Sequence, residues 1–343
     1  MTTAEFAAAM TTFAPFEQSP RLAVAVSGGA DSMCLAVLTQ DWARERDGEA
    51  HCFVVDHGLR DGSGLEAERV AKALVCLGMP VAVLRWDHPP LDHALQQKAR
   101  DARYALLDAA VSAWPALHLL MAHHADDQME TVAMRTARGS GAVGLSGMPA
   151  VTERARIRVI RPFLGLPKAR LLRTLQVRGV RWVEDPSNHD RRFMRTRLRA
   201  ERPSCGPFSG DPSARLRLDA ATAKFLGDHA TLSPFRRVRL DRAAFRSLPA
   251  EVGHHTLARL LASLSDRFYS PPPAALTRLQ SAAVGDRINA ATLGGCIVRL
   301  GQRWIRIRPE HDLAVPWRPP VAAAPAPFGA STSRGVDLAS LVR

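Results

Sequence analysis

The feature that most constrains this chain is a regular alternation. Over the first 165 residues, short apolar runs at 22–26, 52–55, 81–84, 118–122 and 158–163 are separated by stretches of helical spacing at 31–46, 65–78, 95–113 and 126–138. Strands alternating with helices of this length predict βαβ units on a mainly parallel sheet, because a parallel neighbour needs a long crossover connection. Ligands of such sheets bind beyond the carboxyl ends of the strands. The residues just after each run are therefore where chemistry is sought.

Beyond Arg199 the pattern changes. Residues 203–213 are rich in Pro, Ser and Gly and read as a linker. Past it, 214–231 and 250–266 have helical periodicity, 273–284 is a short helix opened by prolines, and 292–308 alternates like a hairpin turning near Gly301 and Gln302. The last thirty residues, with Ala-Pro repeats around 320–327, read as a flexible tail. The predicted class is α/β. A parallel-sheet nucleotide-binding domain with a basic C-terminal part occupies 1–200, followed by a linker at 201–213. A smaller, mainly helical domain covers 214–310 and the tail 311–343.

Charge narrows the partners. The 343 residues carry 46 Lys and Arg against 33 Asp and Glu, a formal charge of +13. Residues 151–200 alone hold fourteen basic residues (thirteen Arg and Lys168) against four acidic ones, a net of +10. Arginine presents a planar fork that suits phosphate, so this stretch predicts a nucleic-acid face over a merely solvated one. No apolar run approaches the roughly 20 residues that span a bilayer, and Glu5 and Glu17 argue against a secretory signal. The five cysteines are scattered without a C-x-x-C pair, which disfavours a zinc ribbon or a redox dithiol. A cytoplasmic protein that does not engage a membrane is expected.

The most specific motif is Ser27-Gly28-Gly29-Ala30-Asp31-Ser32, between the first strand and the first helix. Two glycines allow a tight turn and close approach to a ligand, two hydroxyls add donors, and the helix amides behind them make an anion site. No Gly-Lys-Ser/Thr follows, so it is not a Walker loop. An ordinary strand–helix turn capped by Asp31 or Ser32 is the bland reading, but the whole string resembles the pyrophosphate loop of ATP pyrophosphatases. Gly139, Gly141 and Gly144 match G-x-G-x-x-G, yet they follow a helix instead of a strand, so a helix end and loop is the better reading there.

At the end of the fourth run stands His123-His124-Ala125-Asp126-Asp127-Gln128-Met129-Glu130. Asp126 suits a helix cap. Asp127 and Glu130, three apart, share a helix face near His123 and suit Mg2+ with nucleotide phosphates or a cationic substrate. A zinc site is disfavoured by the lack of cysteine or H-E-x-x-H spacing. Asp56 and His57 end the second run, Arg100 and Arg103 are three apart on one helix face, and Glu184–Asn188 reads as a turn before a basic helix over 190–199.

In this order, together with Arg138–Gly147, Arg161-Pro162 and the later Thr292–Gly295, these segments resemble the bacterial tRNA(Ile)-lysidine synthetases. The resemblance is strong over 20–200 and weaker beyond. It implies an ATP-pyrophosphatase-type sheet and a C–N bond-forming ligase. ATP adenylylates O2 of the wobble cytidine of a tRNA(Ile) with a CAU anticodon, and L-lysine then attacks C2, giving lysidine, AMP and pyrophosphate. It implies that Ser27, Gly28, Gly29, Ala30, Asp31 and Ser32, with Asp56 and His57, bind ATP, and that Asp31 helps place Mg2+. Asp127 and Glu130 would bind the lysine, and one carboxylate or His123 would take its proton. Arg100 and Arg103 would face phosphate or the activated base, with Arg103 in a catalytic role, and Arg191, Arg195 and Arg199 would carry tRNA backbone charge. A homodimer is compatible with the sequence, which does not set the oligomeric state.

Two departures stand out. Thr196 occupies a position where the family commonly shows Asn, and a second C-terminal domain of longer members is expected to be absent, since little chain follows 310. Three rivals share some features. A tRNA cytidine thiolase of the same loop class would want paired or placed cysteines, a small-molecule amide synthetase would not need the Arg-rich stretch, and a silent RNA-binding module would not need the two acidic and glycine-rich motifs.

Overall fold

A computed structural model of the chain describes residues 1–88, 95–114, 116–137, 145–154, 156–183, 212–233, 236–265, 271–286 and 289–311. The chain divides into two compact units, Met1–Arg215 and Leu216–Arg343. The first unit runs α1 (Thr3–Thr11), β1 (Arg21–Val26), α2 (Ala30–Arg44), β2 (Glu49–Asp56), α3 (Ser63–Cys76), β3 (Val81–Arg85), α4 (Leu95–Ala113), β4 (His118–Leu120), α5 (Ala125–Ala137), β5 (Val151–Glu153), β6 (Arg158–Ile160) and α6 (Lys168–Val177).

Its six strands lie in the order β3-β2-β1-β4-β6-β5. All neighbours are parallel except β5, which pairs antiparallel with β6. This is the parallel-dominated α/β sheet expected of the sequence. The chain leaves β1 toward β2 and β3 on one side and returns to β4 on the other, so the order reverses between β1 and β4. Crevices for ligands open at such a reversal, past the carboxyl ends of the strands. In register, Leu22 pairs with His118 and Val24 with Leu120. The loop starting at Ser27 and the loop carrying His123 and His124 therefore leave the sheet side by side.

Sequence explains why these elements form. Strand β1 buries residues on both faces, as a central parallel strand must. Helix α2 buries Met33, Leu35, Leu38 and Trp42 against the sheet, at three- and four-residue spacing. Two described helices of the first unit escaped the periodicity reading. Helix α1 is announced by a capping box, in which the Thr2 hydroxyl accepts from Glu5 N–H and the Glu5 carboxylate accepts from Thr2 N–H. Helix α6 lies inside the Arg-rich stretch, where charge masks a buried face of Leu171, Thr174 and Leu175.

Helix α7 (Pro212–His229) crosses the boundary between units. The second unit continues with β7 (Ala230–Ser233), β8 (Arg237–Asp241), α8 (Arg242–Arg246), α9 (Ala250–Leu264), α10 (Pro273–Val284), β9 (Asn289–Leu293), β10 (Cys296–Leu300) and β11 (Trp304–Pro309). Helices supply most of its regular residues, but it also holds a five-stranded antiparallel sheet, β7-β8-β11-β10-β9. The expected hairpin over 292–308 is thus corrected to three strands. A first turn at Gly294 and Gly295, both at positive φ, precedes the expected one near Gly301. Arg242 is fully buried and donates to the carbonyls of Ala282, Ala283, Gly285 and Gly301, clamping α10 to the turn before β11.

Helix α7 begins at Pro212, inside the linker expected at 201–213; the remainder of that stretch, 201–211, lies outside the described residues, as do 312–343 of the expected tail, the glycine motif at 139–144, the expected turn at 184–188 and the basic segment 190–199. Arg191, Arg195 and Arg199 lie there too.

Candidate active site

The first turn of α2 is an anion site by construction. Its N-cap is Gly29, which offers no side chain to the first amides, so the helix start is open and the bland alternative of a cap by Asp31 or Ser32 does not hold. Ser32 shapes the loop instead: its hydroxyl donates to Gly29 O at 2.9 Å and accepts from Ser27 N–H at 3.1 Å. Ser27 Oγ lies 3.3 Å from Ser32 Oγ and is exposed. Gly28 has φ +86, and a Cβ there would meet Val70 Cγ2 at 2.3 Å, so both its conformation and its neighbours demand glycine. Its carbonyl accepts from Val183 N–H at 2.9 Å, which brings the chain after α6 back to the loop.

Asp31 enters the site from this turn. Its Oδ2 lies 3.5 Å from His124 Nε2 and 3.6 Å from Lys168 Nζ. Burial raises the cost of its charge, but His124 and then Lys168 outweigh that and hold its carboxyl below the usual range. Its Oδ1 is buried with no hydrogen-bond partner among the described residues.

His124 meets three of the carboxylates. It is 2% exposed, with Asp127 Oδ2 3.6 Å from Nε2 and Asp126 Oδ1 3.9 Å from Nδ1. Burial disfavours its charge, yet Asp31, Asp127 and Asp126 prevail and raise its pKa, so the protonated ring is favoured. His123, the neighbour singled out from sequence, is half-buried. Strand β4 ends at Leu120 and α5 begins at Ala125, so Asp126 stands inside the first turn and not at the cap. Asp127 does the capping: its Oδ2 accepts from His124 N–H at 3.0 Å. Glu130, one turn on, is buried. Gln128 serves the fold, exchanging two hydrogen bonds with the backbone of Met148.

Asp56 and His57 close β2 on the same edge. Asp56 is buried, and its Oδ1 accepts from Gly58 N–H at 3.0 Å and Ser63 Oγ at 2.7 Å, while Oδ2 lies 3.6 Å from Arg85 Nε. The carboxylate thereby builds the turn into α3. Burial, then the charge of Arg103, push the His57 pKa down, against the opposing pull of Asp56. Arg103 thus adds to the effect of burial on the His57 ring.

Arg100 and Arg103 gather with Arg154 around Tyr104, their guanidinium carbons 5.5, 5.7 and 5.1 Å from its ring centroid. Tyr104 is buried, which opposes ionisation, but Arg161 and then Arg100 and Arg103 bring its pKa down to about 8. This concentration of arginine suits anionic groups.

The Arg-rich stretch is not one uniform phosphate face. Arg158 donates to Phe13 O, buried Arg161 to Pro149 O and Thr152 Oγ1, and Arg178 to Asp41 and Thr3, all within the fold. Arg170 pairs with Glu5 at 2.8 Å. Arg173 and Arg181, in contrast, are exposed. His124 and Lys168 are the site residues that sequence reading missed. His124 is adjacent to the expected His123, and Lys168 was counted only as one charge among fourteen.

Among the described residues no group of three or more His, Cys, Asp and Glu side chains is placed to hold a metal ion, and no helix is long and apolar enough to cross a membrane. Mg2+ needs no such cage when phosphates and water complete its shell, and the unpartnered Asp31 Oδ1 is the hard oxygen this pattern uses.

Residues 2–202 match the family model described as the PP-loop domain. The fold resembles that of the U34-tRNA thiolase NcsA from Methanococcus maripaludis, with a TM-score of 0.51 at 15% identity, covering 63% of this chain and 77% of that one. Fold and site together define a nucleotide-binding PP-loop protein. The tRNA(Ile)-lysidine synthase of Bradyrhizobium diazoefficiens is 38% identical over 271 residues, spanning 74% of this chain and 75% of its own length. Those of a second Bradyrhizobium species and of Rhodopseudomonas palustris are 36% and 35% identical, spanning 92% and 90% of their lengths. The chain belongs to the tRNA(Ile)-lysidine synthase family.

Proposed function

We propose that this chain is an ATP-dependent ligase of the cytoplasm that joins L-lysine to C2 of the wobble cytidine in a tRNA(Ile) with a CAU anticodon. The cytidine O2 attacks the α-phosphorus of ATP and pyrophosphate leaves. The lysine amine then adds at C2, loses a proton, and AMP departs with the former O2. The observation that carries this reading is the convergence of Asp31, His124 and Lys168 within 3.6 Å at the uncapped start of α2.

The parts fit the steps. The open amides of α2, with His124 and Lys168, would stabilise charge growing on the leaving pyrophosphate. Mg2+, when bound, neutralises phosphate charge, and Asp31 Oδ1 would hold it. Asp127 and buried Glu130, one helical turn apart, would receive the ammonium groups of lysine. One of the carboxylates Asp127 and Glu130, or His123, would take the amine's proton. Arg100 and Arg103 would face the activated nucleotide, and Arg191, Arg195 and Arg199 the tRNA backbone. A homodimer is the assembly proposed, readable by sedimentation.

The test is AMP release from ATP with lysine and either of two tRNA(Ile) transcripts, bearing CAU or GAU anticodons. AMP formed with the CAU transcript and lysine alone supports the reading. Equal AMP with both transcripts, or with no RNA, contradicts it.

A further inference from the structure

An aromatic pair stands on the outer part of the same sheet edge and has no part in the chemistry above. The β2–β3 ladder pairs Asp56 with Arg85, and Trp86 N–H continues it by donating to Asp56 O at 2.9 Å. Trp86 thus sits level with His57 at the carboxyl ends of the strands. Its ring centroid is 4.0 Å from that of His88, at an interplanar angle of 39°. His88 is tied back in turn, its Nε2 3.0 Å from His57 O. Both rings are partly exposed. The chain between them is pressed against Gly58, where a Cβ would meet Trp86 O at 3.5 Å and His88 Nε2 at 3.7 Å. The pair is therefore fixed to the backbone of the loop that follows β2.

Its surroundings are cationic. The side chain of Arg85, the preceding residue, is 65% exposed, and Arg103 acts on the neighbouring His57. A partly exposed indole braced by a second ring, on a sheet edge that also carries arginine, is the surface on which unpaired bases stack while phosphates pass alongside. Position favours a base other than the adenine of ATP. The phosphate loop is at β1, and β3 is two strands away, about 10 Å at the usual strand spacing. Between them stands β2 with His57, which a nucleotide anchored at the loop meets first.

We infer that Trp86, supported by His88, is a stacking platform for an unpaired base of the tRNA anticodon loop. This rests on the reading of tRNA as substrate. The platform would hold the loop splayed while the wobble cytidine enters the site, so Trp86 acts in positioning and touches none of the reacting atoms.

The test uses the full chain with an anticodon stem-loop carrying CAU, and separately with ATP. Trp86→Ala should weaken stem-loop binding about tenfold, as expected for one lost base stack, and leave ATP affinity within about twofold. Trp86→Phe should keep most of the affinity, and the quenching of tryptophan emission on RNA binding should be smaller than in the parent chain. Stem-loop binding by Trp86→Ala equal to that of the parent overturns the platform. Loss of ATP affinity with stem-loop binding intact also overturns it, assigning the ring to adenine. A parent chain that binds ATP but no RNA sinks the tRNA reading itself, which separates the two failures.

Discussion

Asp31 on the first turn of α2 reaches His124, beyond the neighbouring strand β4, with Oδ2 3.5 Å from Nε2. The pair spans the reversal point of the sheet and ties the phosphate loop to the acidic helix α5. Lys168, at the start of α6, meets the same oxygen at 3.6 Å, so three loops close on one carboxylate. The site is thereby set by strand order, since only the reversal between β1 and β4 brings these loops together.

The two charges stabilise each other, which fixes a pH window. His124 is raised above its usual value near 6.5 although burial works the other way, so its contribution is complete below that value and is lost as pH rises through the elevated one. Asp31 is lowered from its usual 3.8 against the same burial, so its contribution is present above 3.8 and is lost as pH falls through the depressed value. Histidine-selective NMR should give His124 a midpoint above 6.5, moving down in Asp31→Asn. A midpoint unmoved by that substitution would contradict the coupling.

Lys168 separates a phosphate role from a structural one. Its side chain is 37% exposed, and an ion pair at such a site contributes at most about 1 kcal/mol to stability. Lys168→Ala should therefore melt within a few degrees of the parent chain while its KM for ATP rises about tenfold, as for a lost charge-assisted phosphate contact. Unchanged ATP kinetics would leave Lys168 a partner of Asp31 and nothing more.

Gly28 tests the loop geometry. At φ +86 a side chain is strained by about 1–2 kcal/mol, and the 2.3 Å approach to Val70 adds overpacking of about 1–3 kcal/mol. Gly28→Ala should lose roughly 2–5 kcal/mol in denaturant unfolding. A loss well below 1 kcal/mol would mean that the loop relaxes freely.

Tyr104 offers a direct view of the arginine cluster. Its pKa of about 8 lies below the usual 10, so its ionised form adds stability above 10 and that contribution is lost as pH falls through 8. The chain has two tyrosines. Ultraviolet titration of tyrosinate should show one ionising near pH 8, and Tyr104→Phe should remove that step. Two steps near 10 would show that the guanidinium groups do not surround the ring as described.

What could be read in advance followed the physics of each signal. The alternation of apolar runs located five of the six sheet strands because buried parallel strands are continuously apolar. Strand β5, the edge strand β7 and its neighbour β8 are short and mixed, with Arg237 and Arg239 exposed on β8, and carry no such mark. The Ser27–Ser32 string marked the phosphate loop because its backbone needs those glycines. That His124 meets Asp31, Asp126 and Asp127 depends on how the chain turns between Leu120 and Ala125, and composition does not register that. The arginines of 151–183 were legible as charge, but partners such as Phe13 O for Arg158 and Asp41 for Arg178 come from distant parts of the chain.

The central claim, that this site joins lysine to a tRNA cytidine, is tested most directly by nucleoside mass spectrometry. A tRNA(Ile) transcript with a CAU anticodon is incubated with ATP, isotopically labelled lysine and the protein, then digested to nucleosides. The account predicts labelled lysidine at the wobble position, and none in the GAU transcript or with Asp31→Ala. An unmodified wobble cytidine with the parent chain, or a thiolated one when a sulfur donor is supplied, would contradict it.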